Sequence, residues 1–136
     1  MIKQIAELNE EDLRGKKVLL RVDFNVPVLN GKISEHHRIK ENKKTIDYLI
    51  SKGAIIGFAS HIEAVDSFET VIDQIKEILE YNFIFLSDCI GQIVETGFKN
   101  AKSGDIFLLE NVRKYKGEEK NDVNFAKSLA EPFDLY

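Results

Sequence analysis

The sequence predicts an α/β fold: a parallel β-sheet with helices on both faces, in a Rossmann-like three-layer α/β/α arrangement. Three observations carry that expectation. Short apolar runs (VLL at 18–20, AIIGFA at 54–59, FIFL at 83–86, IFLL at 106–109) alternate with longer stretches of helical period. The runs are continuous, as in strands buried on both faces, which favours central parallel strands over edge strands. Polar segments follow three of them: RVDFNVP at 21–27, SH at 60–61 and ENVR at 110–113. In a parallel sheet those segments lie at the carboxyl ends of the strands, the rim where open α/β sheets bind ligands. Two of the segments bring an arginine, which points to an anionic ligand.

Each element follows in order. Lys16 to Arg21 form the first strand, with Val18, Leu19 and Leu20 buried. Pro27 has no N–H to donate and stops strand pairing. Asn30–Gly31 signals a turn. A helix fits Ile39 to Lys52, with Ile39, Ile46, Leu49 and Ile50 on one face, and Gly53 stands just past its end. The second strand is Ala54 to Ala59. Phe68 to Glu80 follows as a helix with Phe68, Val71, Ile72, Ile75, Ile78 and Leu79 in its apolar stripe. Phe83 to Leu86 is the third strand. Asp88 can cap a helix from about Cys89 to Asn100. Gly104–Asp105 turns the chain into the fourth strand, Ile106 to Leu109. Asn121 or Asp122 caps a last helix holding Phe125, Ala126 and Leu129. Phe133 to Tyr136 reads as the opening of a fifth strand, so the sequence is expected to be a domain cut short. Right-handed crossovers then put helices on both faces of the sheet.

The 136 residues suggest one domain, which can bury roughly two-thirds of its unfolded surface. With 43% hydrophobic and 31% charged residues, disorder is not expected. A net charge of −4 gives no bulk attraction to nucleic acid, so any anion site must be local. No apolar run approaches the ~20 residues that span a membrane, and the acidic start is not a signal peptide. The single cysteine, Cys89, excludes an internal disulfide framework and fits a reducing cytoplasm.

Five residues stand out chemically. Asp23 and Asn25, just past the first strand, could hold a hydroxylated ligand, or simply form the turn where such residues are common. Arg38 precedes the first helix; an arginine there can help hold an anion, or can sit solvated among Lys40, Lys43 and Lys44. His61 follows the second strand and could donate to a carboxylate or phosphate, although a lone histidine is more often structural. Arg113 stands past the fourth strand, ahead of a mixed-charge loop. No metal site is expected, because His36, His37 and His61 lack ligand spacing and Cys89 is isolated. Cys89 is expected at a buried helix start, which argues against a nucleophile. Neither G-x-x-x-x-G-K-[ST] nor G-x-G-x-x-G occurs, so these residues form no nucleotide-phosphate cradle of either kind.

The strings KKVLLRVDFNVPVLNGKIS, HRIKENKKTIDYLISKGA, ASH, SDCIG, SGDIFLLENVR and EEKNDVNFAKSLA, in this order, resemble the N-terminal domain of phosphoglycerate kinase. RVDFNVP and LLENVR together are highly specific, and the resemblance runs from about Leu8 to Tyr136. It implies a partial N-terminal phosphoglycerate-binding domain over 1–136, with the C-terminal nucleotide-binding domain absent. The implied activity is phosphoryl transfer between 1,3-bisphosphoglycerate and Mg-ADP, giving 3-phosphoglycerate and Mg-ATP. The nucleotide would be bound through the missing domain, and no cofactor by this chain. Carried over by motif, Asp23 and Asn25 would bind the glycerate portion. Arg38 would contact the substrate carboxyl group and stabilise charge on the transferring phosphoryl. His61 and Arg113 would help bind the non-transferring phosphate. Positioning and charge neutralisation are what phosphoryl transfer needs.

The sequence departs from the family where phosphate should bind. After Ser60–His61 the family usually reads LGRP; here Ile62, Glu63, Ala64 and Val65 follow, so an arginine is lost and a carboxylate gained. Lys114–Tyr115 follow ENVR in place of FH or FY, and Lys44 stands for the usual proline before the first helix's TI. Expected partners are a small anionic substrate, with neither nucleic acid nor membrane, and a second copy through an open sheet edge. Alone, the chain is expected to lack turnover. The alternative is a non-catalytic binding or interaction module that keeps the fold but has lost the substrate site.

Overall fold

A computed structural model of the chain describes residues 7–115 and 123–136. The first helix, α1 (Glu10–Leu13), is capped reciprocally by Asn9 and Asp12. Strand β1 (Lys17–Arg21) follows, then an antiparallel pair, β2 (Val28–Leu29) and β3 (Lys32–Ile33). Its turn uses Asn30 at φ 53° and Gly31 at φ 78°, the left-handed conformations that Asn-Gly supplies at least cost.

The single helix expected over Ile39–Lys52 is two pieces, α2 (His37–Lys40) and α3 (Lys43–Ser51). The break falls at Asn42: its side-chain amide donates to the carbonyls of Arg38 and Ile39, both at 3.2 Å, and its own N–H bonds the Ile39 carbonyl, also at 3.2 Å, in a tightened last turn. Arg38 therefore lies inside a short helix rather than ahead of the first one. Strand β4 (Ile55–Ala59) leads to a 3₁₀ turn, Phe68–Thr70, and to α4 (Ile72–Leu79), so the expected Phe68–Glu80 helix is α-helical only in its second part. Strand β5 (Ile84–Leu86) precedes α5 (Gln92–Lys99). That helix starts at Gln92 rather than near Cys89, and Asp88 does not cap it; its carboxylate accepts the Tyr115 hydroxyl instead. Strand β6 (Ile106–Leu109), a 3₁₀ turn at Val112–Lys114 and α6 (Val123–Ala130) complete the order. The expected caps Asn121 and Asp122 lie outside the described residues.

The main sheet is wholly parallel, in the order β1-β4-β6-β5. Arg21 stands opposite Ala59, and Leu86 opposite Leu109, so the strands deliver their following loops to one rim. Central positions belong to β4 and β6, every residue of which is buried. Contrary to expectation, β1 ends the four-stranded sheet. Beyond it the anticipated fifth strand is a single parallel bridge from Val18 to Leu135, with the Leu19 N–H donating to the Leu135 carbonyl at 2.9 Å.

Alternate residues of each strand enter two separate cores. On one face Val18, Ile56, Phe58, Ile106 and Leu108 pack with apolar residues of α2, α3 and α4. On the other, Leu19, Ile55, Phe107 and Leu109 pack with α5 and α6. Helices thus cover both faces, as the continuous apolar runs predict.

Gly57 has no side chain for a steric reason. A Cβ there would lie 2.7 Å from the Phe133 ring and 2.8 Å from Phe98. The absent side chain lets Phe133 seat the C-terminal segment against the sheet. Gly57→Ala is expected to lower stability by about 1–3 kcal/mol through overpacking, read from a urea midpoint. Adding Phe133→Ala to that variant should recover part of the loss; an unchanged midpoint for Gly57→Ala would contradict this packing.

Candidate functional site

Past β1 the chain runs over the core with alternate residues buried: Val22, Phe24 and Val26 point inward. The same alternation turns Asp23 and Asn25 to the rim. Asp23 accepts the Asn25 N–H at 3.1 Å, so it does form the turn that its residue type suggests. Its other carboxylate oxygen stands 3.7 Å from Arg38 Nε. Arg38 also donates from Nη1 to the Asn25 carbonyl.

Asn25 reaches the next loop as well. Its Oδ1 accepts the Glu63 N–H at 3.0 Å. The Glu63 carboxylate in turn stands 3.5 Å from Arg113 Nη1. Arg38, Asp23, Asn25, Glu63 and Arg113 therefore form one continuous polar string, drawn from α2 and the loops after β1, β4 and β6. Both guanidinium-bearing side chains stay within reach of solvent, at 46% exposure for Arg38 and 34% for Arg113. His61 leaves β4 at the same rim and is half-buried. A hollow of about 590 Å³ opens beside the string, lined in part by Glu63, Asp66, Arg113 and Lys114. Among the described residues no group of three or more His, Cys, Asp or Glu is placed to hold a metal.

The loops are held from below by three buried polar residues. Ser60 Oγ accepts the Phe24 N–H at 3.0 Å, and the Ser60 carbonyl accepts the Val112 N–H at 3.1 Å, tying the ends of β1, β4 and β6 together. Asn111 accepts the N–H groups of Ile62, at 3.0 Å, and Arg113, at 3.2 Å. Its amide donates to the carbonyls of Ile62, at 2.8 Å, and Asp66, at 3.1 Å. The Glu110 carboxylate accepts from Ser67 Oγ at 2.7 Å, the Phe68 N–H at 3.1 Å and the Asn111 N–H at 2.7 Å, with Lys114 Nζ at 3.6 Å. Sequence reasoning passes over these three. Their signal is position: a polar residue that directly continues a fully buried strand must find its partners inside.

Cys89 lies deeper, with its thiol donating to the Glu110 carbonyl at 2.7 Å. Burial, then the nearby Glu110 and Asp88 charges, push that thiol well above its usual range. It stays protonated, which disfavours nucleophilic use. Burial and the bond to Asp88 likewise raise the Tyr115 phenol, whose oxygen accepts the Cys89 N–H at 3.0 Å.

Fold and rim define an open parallel α/β protein whose carboxyl-end loops gather two arginines with their acceptors. Comparison with known proteins narrows the class. A family model described as phosphoglycerate kinase matches residues 8–136. The phosphoglycerate kinase of Dictyoglomus turgidum is 47% identical over 140 residues, covering 98% of this chain and 35% of that protein. That of Trichodesmium erythraeum is 43% identical over 141 residues, covering 98% and 35%. The crystal structure of phosphoglycerate kinase from Pyrococcus horikoshii superposes with a TM-score of 0.81 at 29% identity, over 94% of this chain and 35% of that one. The structure of the Coxiella burnetii phosphoglycerate kinase gives 0.76 at 29% identity, over 96% and 33%. The chain belongs to the phosphoglycerate kinase family and spans about a third of the length of these relatives.

Asn111→Ala removes the bonds that shape the loop after β4 and strands buried backbone groups. It should cost about 2–3 kcal/mol in a urea titration. Hydrogen exchange at the Ile62 amide should quicken at the same time. Retained protection there would mean that Asn111 does not hold the loop.

Proposed function

We propose that this chain forms the phosphoglycerate-binding part of a phosphoglycerate kinase, which moves a phosphoryl group between 1,3-bisphosphoglycerate and ADP to give 3-phosphoglycerate and ATP. The supporting observation is the string from Arg38 through Asp23, Asn25 and Glu63 to Arg113 on a single rim of a sheet of this family. Asp23 and Asn25 would bind the glycerate portion. Arg38 would grip its carboxylate and, as the catalytic residue of this chain, neutralise charge that develops on the transferring phosphoryl. His61 and Arg113 would hold the phosphate that is not transferred. Asp23 and the Asn25 carbonyl fix Arg38 before ligand arrives, so less ordering is left to the binding step. Mg-ATP and Mg-ADP are the second substrate pair, and their binding falls to the family's C-terminal domain. A cytoplasmic setting fits this chemistry, and among the described residues no helix is long and apolar enough to cross a membrane.

The second reading is a non-catalytic binding or interaction module. It draws on Glu63, which puts a carboxylate at the phosphate end of the rim. Calorimetric titration with 3-phosphoglycerate separates the two. The first reading expects weak binding by the parent chain and a loss of tenfold or more in Arg38→Ala and Arg113→Ala, the scale of one charge-assisted hydrogen bond. Equal binding by parent and both variants would discard the site. A coupled ATP assay on the 136 residues alone is expected to stay at the blank.

We also propose self-association along the outer edge of the sheet, where Leu135 is bridged to Val18 and Tyr136 is 84% exposed. Sedimentation should show mass rising with concentration. A monomer at every concentration would end this proposal.

A further inference from the structure

We propose that Glu63 is a specificity-determining residue of this site: it occupies Arg113 when no ligand is bound and selects against dianionic phosphate at that end of the rim. This rests on the reading above, in which Arg113 faces the ligand's phosphate. Three observations carry it. The Glu63 carboxylate stands 3.5 Å from Arg113 Nη1, as an incoming anion would. Its backbone is tethered, because the Glu63 N–H donates to Asn25 Oδ1 at 3.0 Å, and the side chain therefore works from a fixed base. The adjoining peptide is held too, with both the N–H and the carbonyl of Ile62 bonded to the buried Asn111.

The electrostatic consequence is direct. A phosphate dianion approaching Arg113 must displace one negative charge and then lie beside it. Each unit of ligand charge at that end adds to the repulsion. A ligand with no group at that end meets neither obstacle. The glycerate carboxylate meets Asp23, 3.7 Å from Arg38 Nε, whether or not the ligand carries phosphate, so the Glu63 penalty at Arg113 falls on the phosphate alone. Selectivity is a difference of affinities, and here a repulsive group supplies part of it. The Glu63 side chain is 65% exposed, so the effect is that of a solvent-screened pair rather than a buried one.

The test compares 3-phosphoglycerate with glycerate, which lacks the phosphate, against the parent chain, Glu63→Gln, Arg113→Ala and the double variant. Glutamine keeps the backbone bond to Asn25 and removes only the charge. Glu63→Gln should tighten 3-phosphoglycerate by about two- to fivefold, the range of a solvent-exposed ion pair. Glycerate should change less. In the Arg113→Ala background the gain on 3-phosphoglycerate should shrink, because the pair being released is already gone. Matching urea midpoints for parent and Glu63→Gln would exclude an effect through the fold. An unchanged affinity for 3-phosphoglycerate, or equal tightening of both ligands, overturns the proposal. If that happens while Arg113→Ala still weakens 3-phosphoglycerate, the site reading survives and only the role of Glu63 falls. If no protein in the series binds 3-phosphoglycerate, both fall together.

Discussion

A buried carboxylate sets the terms for this rim. Glu110 directly continues β6, a strand without one exposed residue, and is itself 4% exposed. An ionised group in that position is costly unless donors surround it. The donors come from the Ser67 hydroxyl and from the backbone of Phe68 and Asn111. Satisfying Glu110 therefore fixes where the loop after β4 must rejoin the core. Asn111 completes the constraint by accepting the Ile62 N–H and donating to the Ile62 carbonyl. The segment between His61 and Ser67, which would otherwise be a free loop, is consequently pinned along one side. Glu63 and Arg113 meet because their neighbours are held in this way.

The layered fold was legible because burial on both sheet faces leaves an uninterrupted apolar signature, as in the runs 54–59 and 106–109. Asn30–Gly31 was equally direct, since a left-handed turn narrows the residue choice. Helix limits were less readable. Asn42 sits within an apolar pattern that continues past it, and only its bonds to the Arg38 and Ile39 carbonyls show that the helix breaks there. Asp88 looked like a cap because of its residue type, but a tyrosine brought from across the rim claims its carboxylate. The rank of β1 in the sheet was hidden for a different reason. Its apolar run resembles a central strand because helices cover both of its faces, whereas hydrogen bonding on its outer edge leaves no trace in hydropathy.

Among the candidate site residues, the sequence points to loops that share one rim but does not say which groups touch. Asp23 illustrates the difference. The turn reading and the site reading looked like rivals, yet one carboxylate serves both, with one oxygen on the Asn25 N–H and the other facing Arg38. Ser60 was invisible as a tie because its partner, the Phe24 N–H, lies far away in the chain and is set by sheet register alone.

The string across the rim also explains how an acidic chain can present cations without losing them to solvent. Each arginine faces an acceptor from a neighbouring loop, and Asn25 links the two halves through its carbonyl on one side and its side chain on the other. Such acceptors act in two opposed ways. They hold a guanidinium in place, which lowers the ordering cost of binding, and they compete with any anion that approaches it. At Arg38 the neutral Asn25 carbonyl shares the holding with the Asp23 carboxylate, 3.7 Å from Nε. At Arg113 the facing group is a full carboxylate, and positioning there comes with competition. Each end of the rim therefore pairs a guanidinium with a carboxylate, and the Arg38 end adds a neutral carbonyl acceptor.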